Sequence, residues 1–194
     1  MLEHYIQEDD KIVKAEIISE MLHGDVPYGL GLSMVDHVYR VAEYVQEALE
    51  VDDGIWGAYS VEDIIVSALL HKSYEEKCIA DEARPYSEER LTELFGEDVA
   101  FIVSDLACEP ADDAALSDED NWAEKAEWAQ KLVLPAQVIL LAEKLTNFET
   151  SRDNPNPDWS LARHEAYIQT RMHVVEALKE ASPHLYKMAE QAAR

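Results

Sequence analysis

The segment HKSYEEK, residues 71–77, places a histidine, a lysine and two adjacent glutamates directly after the apolar run IIVSALL. Imidazole nitrogens and carboxylate oxygens are ligands of manganese, iron and zinc, and a carboxylate can also take a proton from water. His71 could therefore belong to a metal centre, and Glu75 and Glu76 could act on a water molecule. The alternative is the solvated end of a core helix, because glutamates in a loop are ordinarily exposed.

Two more residues of these types occur in apolar stretches elsewhere in the chain. His37 lies in the first long apolar helix, and Glu143 lies within LLAEKLTN. An acid in such a run must be paired, bind a cation or face water. All-α folds build cation sites where helices converge on the core. Alone, each residue has an ordinary structural role. Their joint occurrence with His71 favours a shared site.

The elements that would position these residues are almost entirely helical, because apolar residues recur at helical spacing through most of the chain. Ser60 and Ser87 have the character of N-caps, and Pro135 suits the first turn of a helix. No alternating strand pattern is present. We expect one all-α domain over residues 1–194, with eight or nine helices. The predicted helices cover 11–23, 34–49, 61–71, Ser87 to Gly96, 98–107, 121–133, a helix opened by Pro135, 159–178 and a short one from Pro183.

The net charge of −25 argues against a nucleic acid or an anionic membrane as the main partner, because both require a basic surface. No apolar stretch approaches the roughly 20 residues that span a bilayer. The N-terminus is too charged for a signal peptide. Cys78 and Cys108 lack the spacing of zinc ligands, and unpaired thiols suit a reducing compartment. We therefore expect a cytoplasmic protein.

From about Leu22 to the C-terminal helices, the chain resembles the HD-domain phosphohydrolases. More narrowly, it is similar to the hydrolase domain of the RelA/SpoT proteins and their small stand-alone relatives. Each matching segment alone is weak, but their order and spacing are specific. The segments are HGDVPYGLGLSMVDH, ALLHKSYEE, LTELFGEDVAFIVSDL, LAEKLTNFET and DWSLARHEAYI.

The resemblance implies an HD-type helical bundle that removes the 3′ diphosphate of guanosine tetraphosphate or pentaphosphate. A bound manganese ion would activate water and polarise the phosphoryl group. His37, His71 and Glu143 would bind that ion, and Glu75 and Glu76 would orient or deprotonate the water. The residues expected to face the nucleotide are His23, Tyr28, Lys72, Lys144 and Asn147.

The chain departs from the family pattern at the metal ligands themselves. The aspartate of the His-Asp pair is Lys72, the distant aspartate is Glu143, and the aspartate of the family's Glu-Asp pair is Glu76. An ammonium repels a cation, and at about 4 Å with an effective dielectric near 20 the repulsion is roughly 4 kcal/mol. That would weaken metal binding by about three orders of magnitude. Lys72 could instead replace the metal's charge, pair with Glu143 or Glu76, and hold phosphate itself.

Three hypotheses remain open at the level of sequence. The first is a diverged hydrolase with Mn²⁺ or another divalent cation. The second is a pseudo-hydrolase that binds a guanine nucleotide or a partner protein, without turnover and without a required cofactor. The third is a structural or interaction domain whose old pocket is filled by a salt bridge between Lys72 and a glutamate. Apolar faces of the late helices could support a homodimer. The four tryptophans, among them Trp122 and Trp159, are expected to be core or helix-packing residues rather than a stacking platform.

Overall fold

The computed structural model describes residues 10–24, 26–28, 32–52, 54, 56–75 and 86–194, and within these ranges the fold is helical, as predicted. Nine helices occur in the described ranges. They are α1 (Lys11–His23), α2 (Met34–Val51), α3 (Val61–Leu70), α4 (Glu88–Phe95), α5 (Glu97–Ala107), α6 (Asp118–Ala129), α7 (Leu134–Asp153), α8 (Leu161–Ala177) and α9 (Pro183–Ala192).

Between α1 and α2 the chain forms a small antiparallel pairing that the sequence did not predict. Strand β1 (Pro27–Tyr28) pairs with β2 (Leu32–Ser33), and Tyr28 lies opposite Leu32. Strands of two residues are too short to show an alternation of apolar and polar side chains, so the sequence could not reveal this pairing.

Helix boundaries follow capping side chains. Helix α6 begins at Asp118, because the Ser117 hydroxyl accepts a hydrogen bond from the backbone N–H of Asp120, and it ends at Ala129. The predicted range of 121–133 was therefore wrong at both ends. The predicted N-caps Ser60 and Ser87 are confirmed.

The core is built around α3 and α7, the two helices that the sequence marked as the most apolar. Helix α3 packs against α1, α2 and α5, and α7 packs against α2, α5, α8 and α9. Their buried side chains include Ile64, Leu70, Ile139, Leu141 and Phe148. Packing these two helices in the interior brings the end of α3 close to the middle of α7. No helix in the described ranges is both long enough and apolar enough to cross a bilayer.

The start of α2 is held by a capping box, which places His37 one turn into that helix. The Ser33 hydroxyl accepts from the Asp36 N–H, and the Asp36 carboxylate accepts from the Ser33 N–H. We expect Ser33→Ala to lower the free energy of unfolding by about 1 kcal/mol, measured by urea denaturation. Ser33→Thr, which keeps the cap, should retain most of that stability, and equal loss in both variants would contradict the capping role.

Candidate functional site

A pocket of about 640 Å³ opens where the end of α3 meets α7, α8, α6 and the segment that follows α5. Four of the chain's 16 lysines and arginines line it, although the protein carries a net charge of −25. Four carboxylates balance these four cations, so the pocket lining is close to neutral on a strongly acidic molecule. Its charged lining residues are Lys72, Lys125, Lys144, Arg171, Glu75, Glu109, Asp112 and Glu143.

The inner wall of the pocket contains a lysine held between two carboxylates. The Lys72 Nζ atom lies 2.8 Å from Glu75 Oε1 and 3.1 Å from Glu143 Oε1. Burial disfavours the ammonium, but the attraction of Glu143 and Glu75 outweighs burial and raises the pKa of Lys72. Burial likewise disfavours the Glu143 carboxylate, yet Lys144 and Lys72 hold its pKa well below the usual value. In this ion triad of Lys72, Glu75 and Glu143, the Lys72 ammonium and the Glu143 carboxylate are therefore both charged at neutral pH.

Two buried histidines lie beside the ion triad, and both are neutral. The ring centroids of His37 and His71 are 5.6 Å apart. Burial, reinforced by the Lys72 charge, lowers the pKa of His71 to about 4. Burial and the neighbouring His71 lower the pKa of His37 well below its usual value.

The ring nitrogens of these histidines are mostly without protein partners. His71 Nδ1 donates to the Ala68 carbonyl oxygen at 2.6 Å, which leaves a lone pair on Nε2. Within the described part of the chain, neither His71 Nε2 nor either ring nitrogen of His37 has a hydrogen-bond partner. Unpaired buried nitrogens point to a function, because such atoms are costly unless a ligand or water satisfies them.

The charges around these histidines do not suit a divalent cation. Glu143, the predicted carboxylate ligand, is already bound by the Lys72 ammonium. No group of three or more histidine, cysteine, aspartate or glutamate side chains in the described ranges is arranged to hold a metal ion. A cation placed here would meet a like charge where the family's aspartate would offer an oxygen. The described residues of this site therefore fit an internal ammonium better than a bound metal.

Tyr28 connects Asn147, which lines the 640 Å³ pocket, to His37, which does not. The Tyr28 hydroxyl donates a short hydrogen bond to Asn147 Oδ1. The Tyr28 ring lies against the His37 ring, with centroids 4.2 Å apart. His37 lines a second pocket of about 630 Å³, together with Arg40. Tyr28 therefore contacts one lining residue of each pocket, Asn147 of the first and His37 of the second.

Two other predicted site residues are not among the described residues that line the 640 Å³ pocket. His23 is fully buried at the end of α1 and is not part of the described pocket lining, so contact with a nucleotide remains a prediction for it. Glu76 lies outside the described residues, as does Cys78. Of the two adjacent glutamates, only Glu75 is described, and it pairs with Lys72 in the ion triad.

The outer half of the pocket consists of residues that the sequence did not single out for binding. Trp122 is buried, as predicted for the tryptophans, but its ring also lines the pocket. Lys125 pairs with Glu109 at 3.0 Å and with Asp112 at 2.9 Å. A usable signal was spacing: Trp122 and Lys125 are three residues apart on α6, and Tyr167 and Arg171 are four apart on α8, so each pair shares a helix face.

Known proteins with similar sequences are guanosine-3′,5′-bis(diphosphate) 3′-pyrophosphohydrolases. The MESH1 protein of Drosophila melanogaster is 28% identical over 152 residues, covering 78% of this chain and 74% of that protein. The Danio rerio MESH1 protein is 26% identical over 149 residues, covering 77% and 72%. No protein-family model matches the chain.

A solved structure agrees with these sequence similarities. It belongs to a metazoan ortholog of SpoT that hydrolyzes ppGpp, and it aligns with a TM-score of 0.71 at 23% identity over 95% of this chain and 94% of that one. The all-α HD-type fold is thereby confirmed. The resemblance to the HD-type ppGpp hydrolases, inferred from the motifs, is confirmed as well.

Proposed function

We propose that this protein is a ppGpp 3′-pyrophosphohydrolase-like protein that binds guanosine 3′,5′-bis(diphosphate) in the 640 Å³ pocket, with Lys72 in place of a metal ion. The similarity to the MESH1 proteins supports the class of nucleotide. The observation that carries the proposal is the Lys72 ammonium, held between Glu75 and Glu143 at the pocket wall. A tethered cation at this position can neutralise a phosphate group without a bound metal.

The geometry of Lys72 leaves capacity for a ligand. An ammonium has three N–H donors, and in the described residues Glu75 and Glu143 account for two of them. The third donor can bind a phosphate oxygen. Lys144, which is buried and lies 3.9 Å from Glu143, adds a second positive charge to the same wall. We assign the 3′ diphosphate of the nucleotide to these two lysines.

Calorimetric titration of the metal-stripped protein with ppGpp in EDTA tests this function. We expect one-to-one binding without any divalent cation, because the counter-charge is part of the chain. Lys72→Met should weaken the affinity about ten-fold or more, since it removes a charge-assisted hydrogen bond to phosphate. Lys179→Met removes an exposed lysine outside the pocket lining and serves as the matched control. Failure of the wild-type protein to bind ppGpp in EDTA would reject the proposal.

A second candidate function is hydrolysis of the same nucleotide, and the unpartnered ring nitrogens of His37 and His71 favour it. In this case Glu75 would have to leave Lys72 and orient the attacking water. An assay for release of pyrophosphate from ppGpp in EDTA distinguishes binding alone from hydrolysis. We expect bound nucleotide to remain intact, and sustained release of pyrophosphate would favour the hydrolase.

A further inference from the structure

Three cationic side chains surround the ring of Trp122 in the outer half of the pocket. The Arg171 Cζ atom lies 4.3 Å from the ring centroid, Lys125 Nζ 4.6 Å and Lys144 Nζ 5.7 Å. An aromatic face attracts each cation, but the like charges repel one another. Three cations so close together are stable beside a pocket when anionic groups neutralise their charges.

Arg171 is the member of this group that forms no ion pair with a carboxylate in the described ranges, although Glu109 and Asp112 act on its charge from farther away. Its guanidinium lies 3.6 Å from the Tyr167 ring centroid, and it also contacts Trp122. Nη1 donates to the Tyr167 carbonyl oxygen at 3.1 Å. Lys125 is paired with two carboxylates, whereas no carboxylate in the described ranges lies within ion-pairing distance of Arg171.

The two aromatic rings fix the direction of this guanidinium. A planar group in contact with two ring faces loses little further freedom when it binds a ligand. Its N–H donors match the paired oxygens of a phosphate group. Arg171 is half-buried and lines the pocket, so these donors are accessible from the pocket interior.

Lys144 connects this outer half to the ion triad. It lies 3.9 Å from Glu143 Oε1 on one side and 5.7 Å from the Trp122 centroid on the other. Cationic groups therefore line a continuous path from Lys72 through Lys144 to Arg171. A ligand that binds both to the lysines at the first end of this path and to Arg171 at the other end needs two separate anionic groups.

We infer that Arg171, together with Trp122 and Tyr167, forms a second phosphate subsite that binds the 5′ diphosphate of a nucleotide whose 3′ diphosphate lies at Lys72 and Lys144. The inference rests on the proposed function. It makes Arg171 a specificity-determining residue, because a nucleotide with phosphate at one end only can occupy only one of the two subsites. Nucleotides with phosphate at both ends of the ribose are therefore preferred.

Titrations of Arg171→Gln with two ligands test the subsite. We expect its affinity for ppGpp to fall about ten-fold or more, because a bidentate charge-assisted contact is lost. Affinity for guanosine 3′-monophosphate, which lacks the 5′ group, should stay within about two-fold of wild type. Arg90→Gln removes the same charge from a surface arginine outside the pocket lining and should change neither affinity. Equal losses for both ligands, or no loss for ppGpp, would overturn the inference.

A titration with inorganic pyrophosphate shows whether a negative result contradicts the Arg171 subsite or the proposed function. If the wild-type protein binds no ppGpp, the proposed function is wrong. In that case, an anion subsite at Arg171 is still supported if pyrophosphate binds to the wild type and to the control variant Arg90→Gln but not to Arg171→Gln. If wild-type protein binds neither ligand, both proposals are wrong. If ppGpp binds equally to wild type and Arg171→Gln, only the inference about Arg171 fails.

Discussion

Replacing Lys72 with aspartate is expected to raise the affinity for Mn²⁺ by about three orders of magnitude. The substitution removes the ammonium that lies 3.1 Å from Glu143 and adds a carboxylate beside two neutral histidines. Imidazole and carboxylate groups together suit manganese. Isothermal titration of the metal-stripped variant measures the change directly, and Mn²⁺ should also raise the melting temperature of the variant.

Lys72→Met is the matched control for the aspartate variant. It removes the repulsive charge without supplying a ligand, so its Mn²⁺ affinity should lie between those of the wild type and Lys72→Asp. Mn²⁺ affinity that is the same in Lys72→Asp and in the wild type would show that position 72 does not govern the centre. Tight binding by the wild type would contradict the conclusion that its residues do not fit a metal ion.

Lys72→Met is also expected to destabilise the metal-free protein by about 3 kcal/mol, measured by urea denaturation at neutral pH. The Lys72 and Glu143 side chains are only 14% and 12% exposed, so removal of the lysine leaves a largely buried carboxylate that has lost its nearest partner. Lys144, at 3.9 Å, compensates only in part.

Two comparisons check the cause of this loss. Lys179→Met breaks the exposed ion pair with Glu176 and should change stability little, because solvent screens such pairs. Lys72→Met/Glu143→Leu replaces both charges by apolar groups and should recover much of the stability, since an unpaired charge is no longer buried. If the double variant is as unstable as Lys72→Met, the loss of stability results from altered packing and not from an unpaired charge.

The sequence by itself determined the helical fold and the family resemblance. Caps such as Ser60 and Ser87 act within one helical turn, and the apolar residues of α1 and α2 recur every three or four positions. These signals are local, so they can be read without knowing the tertiary structure. The order of the motifs also identified His71 and Glu143 as site candidates, and Lys72 as a departure from the family's metal-ligand pattern. Pairing of Lys72 with Glu143 was one of the two pairings expected from the sequence, and the structure shows it. Their roles in binding a ligand remain predictions.

Only the tertiary structure decided which side chains share the pocket. Lys72 and Glu143 are 71 positions apart, and Trp122 and Arg171 are 49 apart, yet each pair is in contact. No local period encodes such contacts, because they depend on how α3, α6, α7 and α8 pack against their neighbours. The tertiary packing likewise determined that Glu75 pairs with Lys72 and that Trp122 lines the pocket. Local spacing places a side chain on a helix face, and the packing of helices determines what that face meets.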